Sequence, residues 1–320
     1  MMNYENFKEI VMEKFMDYMP ENYRGMELAI IPVNKANVML DGLIIRGIGE
    51  NGSPIIYVDD MYKEYQDCGN LEQCIMKQCN AMVRAIKEMP VVSIDSILKD
   101  AKEKIVFQII NTQLNRAMLD KMPHRHFMDI SIIYKIIVNE DQRGIQSVKV
   151  TDEIAGLLGM NEGQLFRCAV ENTKRIFPTT VRSMNEVLKD MCLYNGVPDD
   201  DIGMILDERM ADQAMWVISN TACINGAANM LYENVLHELA EKLGSNLYIL
   251  PSSVHEVIAV PELGGPGELA ELVNQANMQC VSPTERLSNH VYYYDRDLRK
   301  LTLATDVLEQ GDIMLELPLV

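Results

Sequence analysis

His124 and His126 flank Arg125 just ahead of Asp129, and in an extended segment alternate side chains point to one face. Both imidazoles could then share a metal ion, with Asp129 or a distant carboxylate completing the shell. Two imidazoles fall short of a site, and Pro123 reads as a turn, so the plainer reading is a pair of hydrogen-bonded, partly buried histidines. His255 and Glu256 follow Pro251, Ser252 and Ser253, and strand alternation sends them to opposite faces. A Ser252 or Ser253 nucleophile served by His255 would need a G-x-S-x-G elbow, which is missing. His237 and Glu241 stand one helical turn apart in His-Glu-Leu-Ala-Glu. Glu241 occupies the place of the second histidine of a zinc-protease helix, which leaves an exposed i, i+4 contact. With His290, His255 and Glu256 make up a candidate functional surface.

Three further stretches mimic known binding motifs. Residues 151–165 have the spacing of a DNA-binding helix-turn-helix, two helices joined at Gly159 with Ala155 and Leu165 inward. The second helix opens on Glu162 and Gly163 rather than on base-reading Arg or Lys, and Asn161 with Gln164 reads as a capping pair, which favours a plain helical hairpin. Gly264, Gly265, Pro266 and Gly267 precede a helix and could cradle a phosphate. Glu262 and Glu268 oppose that, no Lys follows, and a flexible connection accounts for the glycines. Asp199, Asp200, Asp201 and Gly203 lack the spacing of a calcium loop and read as a solvated acidic turn.

The elements that must position these residues come in two groups. In residues 1–90 a helix carries Phe7, Ile10, Val11, Phe15 and Tyr18 on one stripe and stops at Pro20. Three extended pieces follow (27–33, 38–46, 54–58), then two helices (59–65, 71–87), which together predict an N-terminal α+β module. In residues 91–320, strands are expected at 105–110, 129–138 and 146–150, with a helix over 112–121. A strand at 215–219 and a long helix over 226–243 come next. A strand pair at 247–250 and 254–260 follows, then a helix with Leu269, Leu272, Val273, Ala276 and Cys280 inward, and a hairpin over 290–305. Helices mixed with mostly antiparallel strands, in two lobes, make the expected class α+β.

Composition narrows the partners. Against 29 Lys plus Arg stand 47 Asp plus Glu, a net charge of -18, which repels nucleic-acid phosphates and anionic membranes. No apolar run approaches the ~20 residues of a spanning helix and the start lacks a signal-peptide pattern, so a cytoplasmic protein is expected. Seven cysteines without a C-x-x-C pair read as buried thiols. The 23 methionines read as an adaptable core.

Leu40 to Leu43 with Ile55 to Tyr57, Pro123 to Arg125, Ala169, Glu171 to Thr173, and the runs Asn225 to Tyr232, Leu247 to Ile258 and His290 to Asp295 resemble a family of uncharacterised bacterial proteins of clostridia-like gut anaerobes. The last run is also distantly similar to a second uncharacterised Gram-positive family. Neither resemblance implies an activity or a catalytic residue. With no complete constellation of nucleophile, base and orienting group, and no cofactor motif, the expectation is a non-enzymatic binding or regulatory protein with a protein partner. A metal-assisted hydrolase using His124 and His126 is the alternative, and a DNA-binding regulator through residues 151–175 the third reading.

Overall fold

The computed structural model describes residues 2–48, 53–89, 94–141, 144–198, 202 and 215–304. The chain forms two compact units, Met1–Lys99 and Asp100–Val320.

In the first unit, Asn3 caps helix α1 (Tyr4–Lys14) by accepting the Asn6 N–H, and the four-residue step Phe7, Val11, Phe15 is fully buried. Strands β1 (Glu27–Lys35) and β2 (Val38–Arg46) form an antiparallel hairpin, with Asn37 in the left-handed region at its turn. The third strand, β3, shrinks from the expected 54–58 to Ile56–Tyr57, because Val58 opens helix α2 (Val58–Cys68). Asp59 and Asp60 favour that helix start through its dipole, and Asp59 also accepts the Asp41 N–H. Helix α3 (Leu71–Glu88) closes the core with Ile75, Cys79 and Met82, and a short helix α4 (Ile94–Leu98) follows.

The second unit starts with α5 (Ala101–Lys104), β4 (Ile105–Asn111), α6 (Arg116–Leu119), β5 (His124–Phe127), β6 (Ile130–Asp141) and β7 (Gly144–Lys149). The long β6 pairs with β4 along one edge and with β5, then β7, along the other, all antiparallel. Helices α7 (Asp152–Leu158) and α8 (Glu162–Ile176) follow, and α8 closes the far edge of β4: Thr173 Oγ1 accepts the Phe107 N–H, and the Asn172 amide donates to the carbonyls of Lys102 and Ile105. The rest is β8 (Thr179–Ser183), α9 (Met184–Tyr194), β9 (Trp216–Asn220), α10 (Glu233–Leu243), β10 (Leu247–Leu250), β11 (Val257–Pro261), α11 (Gly267–Gln279), β12 (Tyr292–Asp295) and β13 (Lys300–Leu303). These strands form a six-stranded antiparallel sheet in the order β13-β12-β10-β11-β9-β8. With antiparallel sheets and eleven helices among the described residues, the fold is α+β.

Further expectations change. The strand expected at 254–260 runs Val257–Pro261, so His255 and Glu256 lie in the bend before it and not on opposite faces of a strand. The helix expected over 112–121 breaks into a 3-10 turn (Gln113–Asn115) and the one-turn α6, because Asn111 accepts the Leu114 N–H and is itself bonded by Asn115, so side chains compete with the helical ladder. The long helix over 226–243 is a buried 3-10 segment, Gly226–Leu231, followed by α10. Its Asn229 amide donates to the carbonyls of Ser219 and Gly226, which ties the segment to β9 rather than to a continuing α-turn. In α11, Leu272 and Cys280 are exposed, and the inward row is Leu269, Val273 and Asn277, since Asn277 donates to the Ser288 carbonyl and to Asn289. Cys68, Cys223 and Cys280 are exposed rather than buried. The acidic turn at Asp199, Asp200, Asp201 and Gly203 lies outside the described residues.

Both caps of the 151–165 hairpin form: Thr151 accepts the Ile154 N–H, and Asn161 and Gln164 make a reciprocal capping box. Replacing Asn161 with alanine is expected to cost about 1 kcal/mol, read as a lowered urea midpoint at unchanged slope.

Candidate functional site

Met128 takes a positive φ in the β5–β6 turn, and Thr112 donates its N–H to the Asp129 carbonyl, which together set the Asp129 side chain. Asp129 Oδ2 accepts hydrogen bonds from Ser288 Oγ at 2.6 Å and His290 Nδ1 at 3.0 Å, while Oδ1 accepts the Tyr292 hydroxyl. Ser288, His290 and Tyr292 recur at every second residue, the period that brings extended side chains to one face. The sequence carries that spacing, but of the three only His290 is a candidate by residue type. Burial pushes the Asp129 carboxyl up, but the bonds from His290, Ser288 and Tyr292 outweigh it and hold it below the usual carboxylate range. Burial, then the Asp129 charge, keeps the Tyr292 phenol protonated. Ser288 donates its proton to Asp129 and accepts the His290 backbone N–H, so its hydroxyl acts as a brace and is not aimed as a nucleophile.

His124 and His126 do come together, Nε2 to Nε2 at 3.2 Å with the rings edge to face. His124 Nδ1 is 2.9 Å from the Met122 carbonyl and donates to it; with both rings in the neutral form, His124 Nε2 accepts from His126 Nε2–H. His126 Nδ1 then accepts from Ser131 Oγ, which accepts in turn from Thr112. Burial, and then His124, hold His126 below the ordinary imidazole range. Asp129 is committed to its own three donors, and among the described residues no three His, Cys, Asp or Glu side chains are placed to hold a metal ion.

The other candidates are dispersed. His255 accepts the Asn225 N–H and lies 3.5 Å from Glu285, in the bend before β11, and Glu256 is half-buried beside it. His237 pairs with Arg299 and Glu241 with Arg296, so the two do not meet as expected. In the helical hairpin, Glu162 is taken by a bidentate bond from Arg125 (3.0 and 2.9 Å) and by the Tyr134 hydroxyl, with Arg125 stacked on Phe166. Burial raises the Glu162 carboxyl, but Arg125 and Tyr134 draw it below the ordinary range. The first turn of α8 is thus bound to β5 and β6, away from the role of a base reader.

A cavity of about 360 Å³, which none of the motifs predicted, opens between α8, β8, β9 and α10. Trp216 and Tyr232 are both more than nine-tenths buried in its wall, and the indole N–H and the phenol O–H have no hydrogen-bond partner among the described residues. Lys174 lies 4.6 Å from the centre of the Tyr232 ring and Lys242 lies 4.0 Å from that of Trp216. Neither lysine pairs with a carboxylate among the described residues. Burial, with Glu171 adding to it, keeps the Tyr232 phenol protonated and so able to donate. Thr179 donates to Asn229, which leaves its oxygen as an acceptor, and Glu238 brings a carboxylate to the rim. Only the four-residue spacing of Glu238 and Lys242 hinted at this wall, and it reads as an ordinary solvated helix face. A smaller cavity of about 130 Å³ holds Gln108, Asn225 and the half-buried Lys135, whose ammonium is pushed down to about 8 by burial and then by Lys149.

Among the described residues no helix is long and apolar enough to cross a membrane. No curated protein and no solved structure matches the chain. A family model does match, over residues 4–296, which takes in both units and every residue of the Asp129 brace and of the cavity wall. The chain therefore belongs to the family of unknown function DUF5688.

Proposed function

We propose that the protein binds a small organic anion with a flat apolar body in the Trp216–Tyr232 cavity, without catalysing its conversion. The observation that carries this reading is the imbalance of the wall: two lysine ammonium groups lie in it without a carboxylate partner among the described residues. They lie over the aromatic rings in a chain of net charge -18. A carboxylate or phosphate oxygen would meet those ammonium groups in charge-assisted hydrogen bonds. Val181, Val235 and Leu239 supply apolar wall, and the volume fits a small ligand. This keeps the expected binding role and replaces a protein partner with a small molecule. The hydrolase reading gains no support from His124 and His126, whose ring nitrogens are engaged with the Met122 carbonyl, with each other and with Ser131.

Trp216 is the chain's single tryptophan, so its fluorescence reports on the cavity. Titration with phenyl phosphate and with benzoate is expected to give a saturable change, and benzyl alcohol none. Lys174→Ala and Lys242→Ala should each weaken binding by about tenfold or more, the size of one charge-assisted hydrogen bond. Equal binding of the uncharged alcohol, or no saturable signal from either anion, would remove the proposal.

A further inference from the structure

Helix α2 ends on Cys68, Gly69 turns the chain through the left-handed region, and Asn70 caps α3 by accepting the Gln73 N–H. Cys74 follows in the opening turns of α3. This tight reversal sets Cys68 Sγ 3.2 Å from Cys74 Sγ, about 1 Å beyond a disulfide bond length of ~2.05 Å. Cys68 is exposed and Cys74 is 1 % exposed at the edge of the core. Cys68 Sγ accepts the Asn70 N–H at 3.4 Å and faces the Asn70 carbonyl at 3.6 Å, contacts that hold the sulfur at the turn. No C-x-x-C spacing marks the pair. The turn between two helices brings together thiols six residues apart.

We propose that Cys68 and Cys74 are a reversible dithiol–disulfide site, in which Cys68 meets a low-molecular-weight disulfide and Cys74 resolves the product. In the first step the Cys68 thiolate attacks one sulfur of the small disulfide. A mixed disulfide forms on Cys68 and one small thiolate leaves. In the second step the Cys74 sulfur gives up its proton, attacks Cys68 Sγ and expels the second small thiol. The two protein thiols are oxidised by two electrons, and one small disulfide is reduced to two thiols. The order follows from access. It also follows from the Cys74 thiol being pushed up to about 12 by burial and then by Cys68, which leaves Cys68 as the entry thiol. Cys79 is outside this chemistry: it is buried, its thiol donates to the Phe15 carbonyl at 3.3 Å, and burial pushes it up to about 12.

The full-length protein would be equilibrated with mixtures of oxidised and reduced glutathione, quenched with iodoacetamide and mapped by peptide mass spectrometry. The expected result is an intramolecular Cys68–Cys74 link, with the exposed Cys223 and Cys280 serving as internal references that take single glutathione adducts. Cys74→Ser should trap one stable glutathione on Cys68, and Cys68→Ser should leave Cys74 unmodified. Cys74 is buried, so where Cys74→Ser fails to fold the wild-type map decides alone. A persistent glutathione adduct on wild-type Cys68, alkylation of both thiols at every ratio, or a Cys68 link to a second chain would each overturn the proposal.

Discussion

Replacing Asp129 with alanine is expected to destabilise the protein by about 3–5 kcal/mol, because the carboxylate is the common acceptor for three side chains. Tyr292 is fully buried, and Ser288 is 2 % exposed, so neither hydroxyl can turn to solvent for a substitute. Each buried donor left open costs about 1–3 kcal/mol, and the third, His290, sits at the surface and adds little. Urea unfolding followed by Trp216 fluorescence measures the loss, and a change below about 1 kcal/mol would show that the brace is not a stabilising element. Asp129→Asn should fall between the two proteins, since the amide keeps one accepting oxygen but turns a donor towards Ser288 or His290. The native carboxyl lies below its ordinary value, so its contribution is complete above about pH 4 and is lost as pH falls through the lowered native value. Acid unfolding of the wild type should therefore be steeper than that of Asp129→Asn below pH ~4.

Gly226→Ala is expected to cost about 3 kcal/mol, at the upper end of overpacking. A methyl group on Gly226 would meet Ser219 Oγ at 2.3 Å, the His255 carbonyl oxygen at 2.6 Å and the Asn220 nitrogen at 2.8 Å. Two of these atoms belong to backbone, so a rotamer change cannot clear them, and β9 or the His255 bend must shift. That displacement would also loosen the hydrogen bond from Ser219 to the His255 carbonyl. Gly267→Ala is the reference: an added methyl meets nothing within 4 Å at the start of α11, so its effect should be neutral or slightly stabilising. Equal thermal midpoints for the two variants would contradict the packing account.

The regular elements were the legible part. Phe7, Val11 and Phe15 announce α1 by their step, β10 ends where Pro251 stands, and the Asn161–Gln164 box is a local signal that acts locally. What failed needed partners distant in sequence. The segment from Gly226 reads as helix on composition, yet Asn229 finds its acceptor on β9 and its donor on β8, and these bonds outweigh helical propensity. Helices and strands at 179–194 went unread because α9 buries no side chain completely and so carries little periodic contrast. The site shows the same division. His124 and His126 were expected on one face and lie there, whereas the wall of the cavity draws Lys174 from α8, Trp216 from β9, and Tyr232 and Lys242 from the two ends of α10. None of these residues is unusual by itself, and their convergence becomes visible only once the chain has packed.

The reach of the Asp129 brace bears on how the chain is made. Its donors lie 159 to 163 residues further along, so while the ribosome is still adding that stretch, the β5–β6 turn waits with its carboxylate unengaged. Such a late closure raises contact order and slows the final step of folding. A nascent chain stalled before Ser288 would emerge with the four-stranded sheet able to pair but unbraced, an early target for chaperones and proteases.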